Sequence, residues 1–192
     1  MNPRRPAPVA GGNVETSQRN VDVLLKAFSQ ICPDKVPAAG QGTMNNITVG
    51  GITDDSLPWT FYETIGGGSG GRPWSDGVDG IHVNMTNTMN TPIEAIEAYL
   101  PLEFEAYRLR PDSGGAGQYR GGCGIERIWT LTSSKATLSI MAERTKIPPW
   151  GLKGGKPGRT GEYILVRSNG EKVTLPSKVT IDISRGDKLI IR

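Results

Sequence analysis

The sequence predicts an α+β protein: an N-terminal helix and Gly-rich loops, then a mostly antiparallel β half folded as a sandwich or a partly closed barrel. Helical periodicity is confined to the first half of the chain. Alternating or hairpin-like segments fill most of the second half. The 192 residues include 26 glycines and 14 prolines, which describes short elements joined by many turns and argues against a helical bundle. The chain divides into a segment with helix and glycine loops, 1–101, and a β-rich segment, 102–192.

Residues 1–13 carry Pro and Gly and read as an extended lead-in. A helix over about 16–31 follows, capped by Thr16 or Ser17, with Val21, Leu24, Leu25, Phe28 and Ile31 as its apolar face. Pro33 ends it, because proline disfavours helical geometry in the residue before it. Short strands are expected at Asn46–Val49 and Trp59–Ile65. A second helix, about 92–99, has Thr91 as N-cap, Pro92 at its first position and Glu94 completing a capping box. Ile93, Ile96 and Leu100 supply its core face, and Pro101 stops it.

From Leu102 the pattern alternates. Strands are expected at Leu102–Leu109, Gly124–Leu131 and Ala136–Met141. Asn169-Gly170 joins Glu162–Arg167 to Lys172–Leu175 as a hairpin with a type I′ turn. Lys178–Ile183 and Lys188–Ile191 form another pair around Arg185-Gly186-Asp187. A chain that opens on a loop and ends on a strand looks like a piece of a larger protein.

The net charge of +3 comes from scattered Lys and Arg, so neither a nucleic-acid stripe nor a polybasic membrane patch stands out. Only two cysteines occur, without CxxC spacing, and reduced thiols in the cytoplasm are the expectation. No apolar run approaches the roughly 20 residues of a membrane helix.

Chemistry concentrates between Phe61 and Pro92. This stretch holds the sole histidine, His82, the glycines of 66–71, and a dense set of amides and hydroxyls that includes Asn84, Thr86 and Asn87. Gly66, Gly68 and Gly71 match a bare G-x-G-x-x-G, but Arg72-Pro73-Trp74 follows where a dinucleotide site needs a helix. The run is therefore either a flexible surface loop or backbone that must approach a ligand or another chain closely. His82 alone cannot build a metal site, and a histidine that orients a loop is the plainer reading. Glu63 precedes the glycines, where its carboxylate could enter the same pocket or simply be solvated. Arg120 lies in a second glycine cluster and could grip a carboxylate or phosphate, or stabilise a turn. No Ser-His-Asp or Cys-His nucleophile pair can be argued.

Taken together, VAGGNVETSQR (9–19), QGTMNN (41–46), FYETIGGGSGGRP (61–73), DGVDGIHVNMTNTMNTPIE (76–94), YRLRPDSGGAGQYRGGCGIER (107–127) and PPWGLKGGKPG (148–158) resemble the hydantoinase B/oxoprolinase family. The resemblance covers essentially the whole chain and implies the C-terminal part of a B component. The implied activity is ATP-dependent hydrolysis of a cyclic amide, 5-oxoproline or a hydantoin; related members carboxylate ketones. An A-type subunit would activate the substrate by phosphorylation. ATP with Mg and a divalent metal would belong to that partner or to the N-terminal part of the B component, not to this chain alone. Asn84 stands where many relatives carry a second histidine. Within that frame His82, Asn84, Asn87 and Glu63 are the candidate catalytic residues, with Gly66, Gly67, Gly68, Thr86 and Arg120 as candidate substrate contacts. The competing class is a non-catalytic fragment or structural subunit of such a complex. Nucleic-acid binding rests only on the mild basic surplus.

Overall fold

The structure, a computed structural model, describes residues 9–192, with side chains from Asn13 onward. Two helices and nine strands follow in the order α1 (Val9–Ile31), β1 (Asn46–Ile52), β2 (Pro58–Thr64), α2 (Ile93–Tyr99), β3 (Leu102–Leu109), β4 (Ile125–Leu131), β5 (Lys135–Met141), β6 (Tyr163–Val166), β7 (Lys172–Thr174), β8 (Lys178–Ser184) and β9 (Lys188–Ile191). They form a four-stranded sheet, β2-β1-β5-β8, and a five-stranded sheet, β3-β4-β9-β6-β7. Every pairing is antiparallel. The fold is α+β with two open sheets, and neither closes into a barrel. The first sheet takes β1 and β2 from before residue 101 and β5 and β8 from after it.

Alternation builds the core. In β5 the buried residues are Ala136, Leu138 and Ile140, every second position, facing the interior. Ile47, Val49 and Leu138 of one sheet and Leu131, Leu165 and Leu189 of the other join a single apolar cluster. Each such side chain contributes about 1.5–3 kcal/mol relative to exposure. Ile96 anchors α2 to the same cluster, with Leu100 packed at its edge.

Four sequence expectations about the helices are corrected. Helix α1 begins at Val9, within the expected lead-in, and residues 1–8 of that lead-in lie outside the described part. Gly11 and Gly12 hide the start, since glycine disfavours a helix by about 1 kcal/mol each. Thr16 and Ser17 are therefore interior, and the Ser17 hydroxyl donates back to the Asn13 carbonyl instead of capping. The face of α1 is also largely inverted: Glu15, Gln18 and Asp22 are buried and Val21 and Leu25 half-buried, while Leu24, Phe28 and Ile31 are exposed. Thr91 does not cap α2, whose N-cap is Pro92 with no side-chain hydrogen bond. The Thr91 amide is instead held by the Glu63 carboxylate at 2.7 Å.

The β6–β7 hairpin forms, but only Gly170 has positive φ, at 89°, so its turn is not type I′. Hydrogen bonds from Gly170 to Arg167 and from Arg167 to Glu171 give a three-residue loop with glycine in the left-handed position. Strands β8 and β9 do not pair. β8 joins β5, β9 joins β4 and β6, and the turn between them is a corner from one sheet to the other. Gly186 (φ 83°) makes that corner, and the buried Asp187 fastens it by accepting from the Ser184 and Ser168 amides and from Arg167.

Candidate functional site

The loops at one end of the sandwich are rich in glycine, and their backbones lie directly on one another. A Cβ at Gly70 would sit 1.8 Å from the Ala38 carbonyl oxygen, and one at Gly77 2.2 Å from that of Ser69. At Gly115 it would meet the Lys156 carbonyl at 2.1 Å, and at Gly122 the Val78 carbonyl at 2.1 Å. Hydrogen bonds cross the same contacts: Gln41 amide to Gly68, Gly68 amide to Ile81, Gly122 amide to Ser69, Lys156 amide to Ala116. Glycine is required here because main chain packs on main chain within the protein.

This frame encloses a cavity of about 340 Å³. Gly66, Gly67 and Gly68 line it, opposite the 113–124 and 149–161 loops. Gln41 and Asn45 stand at the wall, the Gln41 amide nitrogen and both ends of the Asn45 amide engaged and the Gln41 Oε1 buried without a hydrogen-bond partner. Gln41 Nε2 donates to the Thr43 and Ile65 carbonyls, and Asn45 joins the Ile65 carbonyl to the Tyr163 hydroxyl. Arg72, Lys156 and Arg159 line the cavity with no carboxylate partner among the described residues. Arg144 also reaches it, buried and paired with Asp22, and burial draws its pKa down.

A second cleft, about 270 Å³, lies on the far side of a wall shared through Ala38, Gly40, Ser69 and Arg72. His82 and Asn84 line it together with Asp22 and Leu25 of α1. Asn84 takes a left-handed φ of 59°. Neither His82 ring nitrogen makes a well-formed hydrogen bond. Burial draws its pKa below the ordinary value, opposed by the Thr64 carbonyl, so the neutral ring dominates at pH 7.

The remaining candidates are placed differently. Thr86 is buried, and its hydroxyl accepts from Gln18 Nε2 at 2.7 Å, tying the His82 loop to α1. Asn87 is exposed and lines neither cleft. Glu63 is buried in an ion pair with Arg127, away from both cavities. Arg120 ties its glycine loop to Asp79 of another loop (2.7 Å), whose carboxylate also accepts the Cys123 amide at 2.7 Å; the Arg120 pairing holds the Asp79 pKa down. The structure thus brings Gly66, Gly67 and Gly68 to one cavity and His82 and Asn84 to its neighbour.

Sequence reasoning passes over the polar stripe of α1. Glu15 accepts from the Thr43 hydroxyl at 2.9 Å and the Met44 amide at 2.6 Å, and Asp22 accepts from both Arg19 and Arg144. These bonds fix the 41–46 segment and Arg144 at the cavity wall. The signal is present as Glu15, Gln18 and Asp22 at i, i+3 and i+7, a helical face that a hydrophobicity reading assigns to solvent.

The family model described as hydantoinase B/oxoprolinase matches residues 1–192. The chain belongs to the hydantoinase B/oxoprolinase family. An uncharacterized protein of Methanocaldococcus jannaschii is 54% identical to this hydantoinase B/oxoprolinase chain, covering 97% of it and 32% of the relative. The 5-oxoprolinase of Dictyostelium discoideum is 38% identical over 100% of the chain and 14% of its own length. A D-/L-hydantoinase component from a Pseudomonas strain is 33% identical over 93% of the chain and 30% of its own length. The chain thus spans about a seventh to a third of these relatives. Among solved structures, an ATP-dependent caprolactamase from Pseudomonas jessenii shares the fold, with TM-score 0.70 and 21% identity over 86% of the chain and 30% of that structure. A nucleotide-free acetone carboxylase matches with TM-score 0.67 and 20% identity over 81% of the chain and 25% of that structure.

Among the described residues of this hydantoinase B/oxoprolinase chain, no group of three or more His, Cys, Asp or Glu is placed to hold a metal. No described helix is long and apolar enough to cross a membrane. Cys32 and Cys123 are both free thiols.

Proposed function

We propose that this chain supplies one wall of the active site in the B component of an ATP-dependent cyclic-amide hydrolase of the 5-oxoprolinase or hydantoinase type. The observation that carries the reading is the 340 Å³ cavity, framed by rigid glycine loops and bearing Arg72, Lys156 and Arg159 without carboxylate partners among the described residues. Attack of water on a ring amide activated by phosphorylation builds negative charge on the phosphorylated oxygen, and cations lining a partly enclosed site stabilise that charge. Gly66, Gly67 and Gly68 bound the substrate, and the exposed Arg72, Lys156 and Arg159 side chains reach it from the rim. His82, neutral at pH 7, serves from the adjoining cleft with Asn84, and Asn87 extends that surface toward a partner. Thr86, Glu63 and Arg120 act as positioning residues through their fixed contacts. ATP with Mg and the divalent metal belong to an A-type subunit and to the rest of the B component, assembled in the cytoplasm around a small-molecule substrate.

The test is to co-purify the chain with A-type and complementary B-type partners and to follow ATP hydrolysis with 5-oxoproline, hydantoins and simple ketones. Stimulation by a cyclic amide supports the hydrolase. Stimulation by ketones alone moves the chain to the carboxylase branch. No stimulation by any of them leaves only a structural role. Within an active assembly, His82→Ala and Asn87→Ala lower turnover; unchanged rates remove those two residues from the site.

A further inference from the structure

Helix α1 is built inside out for a helix of a free-standing domain. Its buried stripe is Glu15, Gln18 and Asp22, and the opposite stripe carries Leu24 (57% exposed), Phe28 (51%) and Ile31 (81%), with Val23 (67%) beside it. Positions 24, 28 and 31 recur at i, i+4 and i+7 and share one face. The helix cannot roll over to cover them. Gln18 Nε2 is bonded to the Val83 carbonyl and Thr86, Glu15 to Thr43 and Met44, and Asp22 to Arg144. Turning α1 would strip these buried groups of partners, at about 1–3 kcal/mol for each one orphaned.

We infer that the Leu24–Phe28–Ile31 face of α1 is a docking surface for the rest of a hydantoinase B-type polypeptide, which covers it with an apolar groove. This inference rests on the B-component reading above and adds the surface through which the component is assembled. Contiguous exposed apolar groups on a soluble chain mark such contacts. The occupant follows from length. The Methanocaldococcus jannaschii relative, of which this chain covers 32%, carries about two thirds of its sequence outside the matched region. A second copy of the chain is a poorer fit, because four side chains on three turns fall far short of the roughly 20 residues a side in a stable dimer. A contact with the remainder of the same component continues onto neighbouring surface and needs no such self-sufficient patch.

The experiment co-expresses this chain with the complementary segment of the M. jannaschii relative and measures their affinity, with no substrate or nucleotide present. The parent chain is expected to form a complex. Leu24→Glu/Phe28→Glu is expected to weaken it at least tenfold, while Leu24→Met/Phe28→Leu retains it. Circular dichroism and urea unfolding establish that the double variant is folded, as its exposed positions predict. Absence of a complex with the parent overturns the inference, as does equal affinity in the folded charged variant. A parent that sediments as a dimer and becomes monomeric in the charged variant gives the face to a second copy and also overturns it. Binding is read apart from turnover. A complex that forms normally yet acts on no cyclic amide defeats only the hydrolase reading, and an active assembly indifferent to the charged variant defeats only the docking surface.

Discussion

The Glu63 carboxylate and the Arg127 guanidinium meet in a buried ion pair that joins β2 of one sheet to β4 of the other. Phe104 and Tyr107 stand over the guanidinium at 4.9 and 4.7 Å, and burial pulls its pKa down to about 10. The second Glu63 oxygen takes the Thr91 amide, so one carboxylate ties both sheets and the entry to α2. Removing one partner strands the other charge. Glu63→Ala is expected to cost about 3–5 kcal/mol in urea unfolding. Glu63→Leu/Arg127→Met, with both charges gone, is expected to recover most of that loss.

The glycine frame makes a sharp contrast available. Gly70→Ala places a methyl 1.8 Å from the Ala38 oxygen, and backbone there has nowhere to move. That variant is expected to lose about 4 kcal/mol or more, or to fail to fold. At Gly117 the nearest atom is the Tyr119 oxygen at 3.3 Å, and alanine is expected to change stability by less than about 1 kcal/mol. Equal urea midpoints for the two variants would remove the main-chain packing account.

Burial raises the Glu15 pKa above its ordinary 4.5, only partly offset by the Met44 and Thr43 hydrogen bonds. The folded chain therefore binds this proton more tightly than the unfolded chain does. Its contribution is full below the ordinary carboxylate range and is lost as pH rises through the shifted value. Glu15→Gln is expected to flatten that part of the stability profile when urea midpoints are compared from about pH 4 to 8.

Asp187 has the opposite sign. Burial raises its pKa, but the Ser184 amide, Arg167 and the Ser168 amide outweigh it and leave the value low. Its contribution is present above the ordinary carboxylate range and fades as pH falls. Asp187→Ala is expected to cost roughly 2–4 kcal/mol, since it releases three donors at the corner between β8 and β9.

In the assembled enzyme, Arg159→Ala is expected to lower kcat/KM by about tenfold or more, through loss of a cation facing the reacting oxygen. Lys172→Ala, on a strand away from the cavity, is the control and is expected to leave it unchanged. Steady-state kinetics of the two side by side decide the matter.

Strands are the most readable part of this sequence, because alternation such as that in β5 reports burial on one face directly. Helix α1 is misread for the same reason in reverse. Its core-facing stripe is polar and held by hydrogen bonds from Gln18 Nε2 and to Glu15 and Asp22, and hydrophobicity carries no record of that. The β8–β9 corner looks like a hairpin because its turn chemistry is local, while the choice of sheet depends on strands β5 and β4, over 40 residues upstream. The Gly66–Gly71 run can be located but not explained from sequence. Whether a glycine faces a ligand, solvent or another loop depends on residues such as Ala38 and Lys156, which adjoin these loops only after folding. The same limit separates Glu63 and Thr86 from His82, although all three are near in sequence.

Loops that touch through their carbonyl oxygens leave evolution no small step: nearly any side chain added at Gly70, Gly115 or Gly122 is already too large. A lineage using this frame inherits the outline of the cavity as a fixed mould. New substrate preferences must then arise at the rim, where Arg72, Lys156 and Arg159 can change without disturbing it.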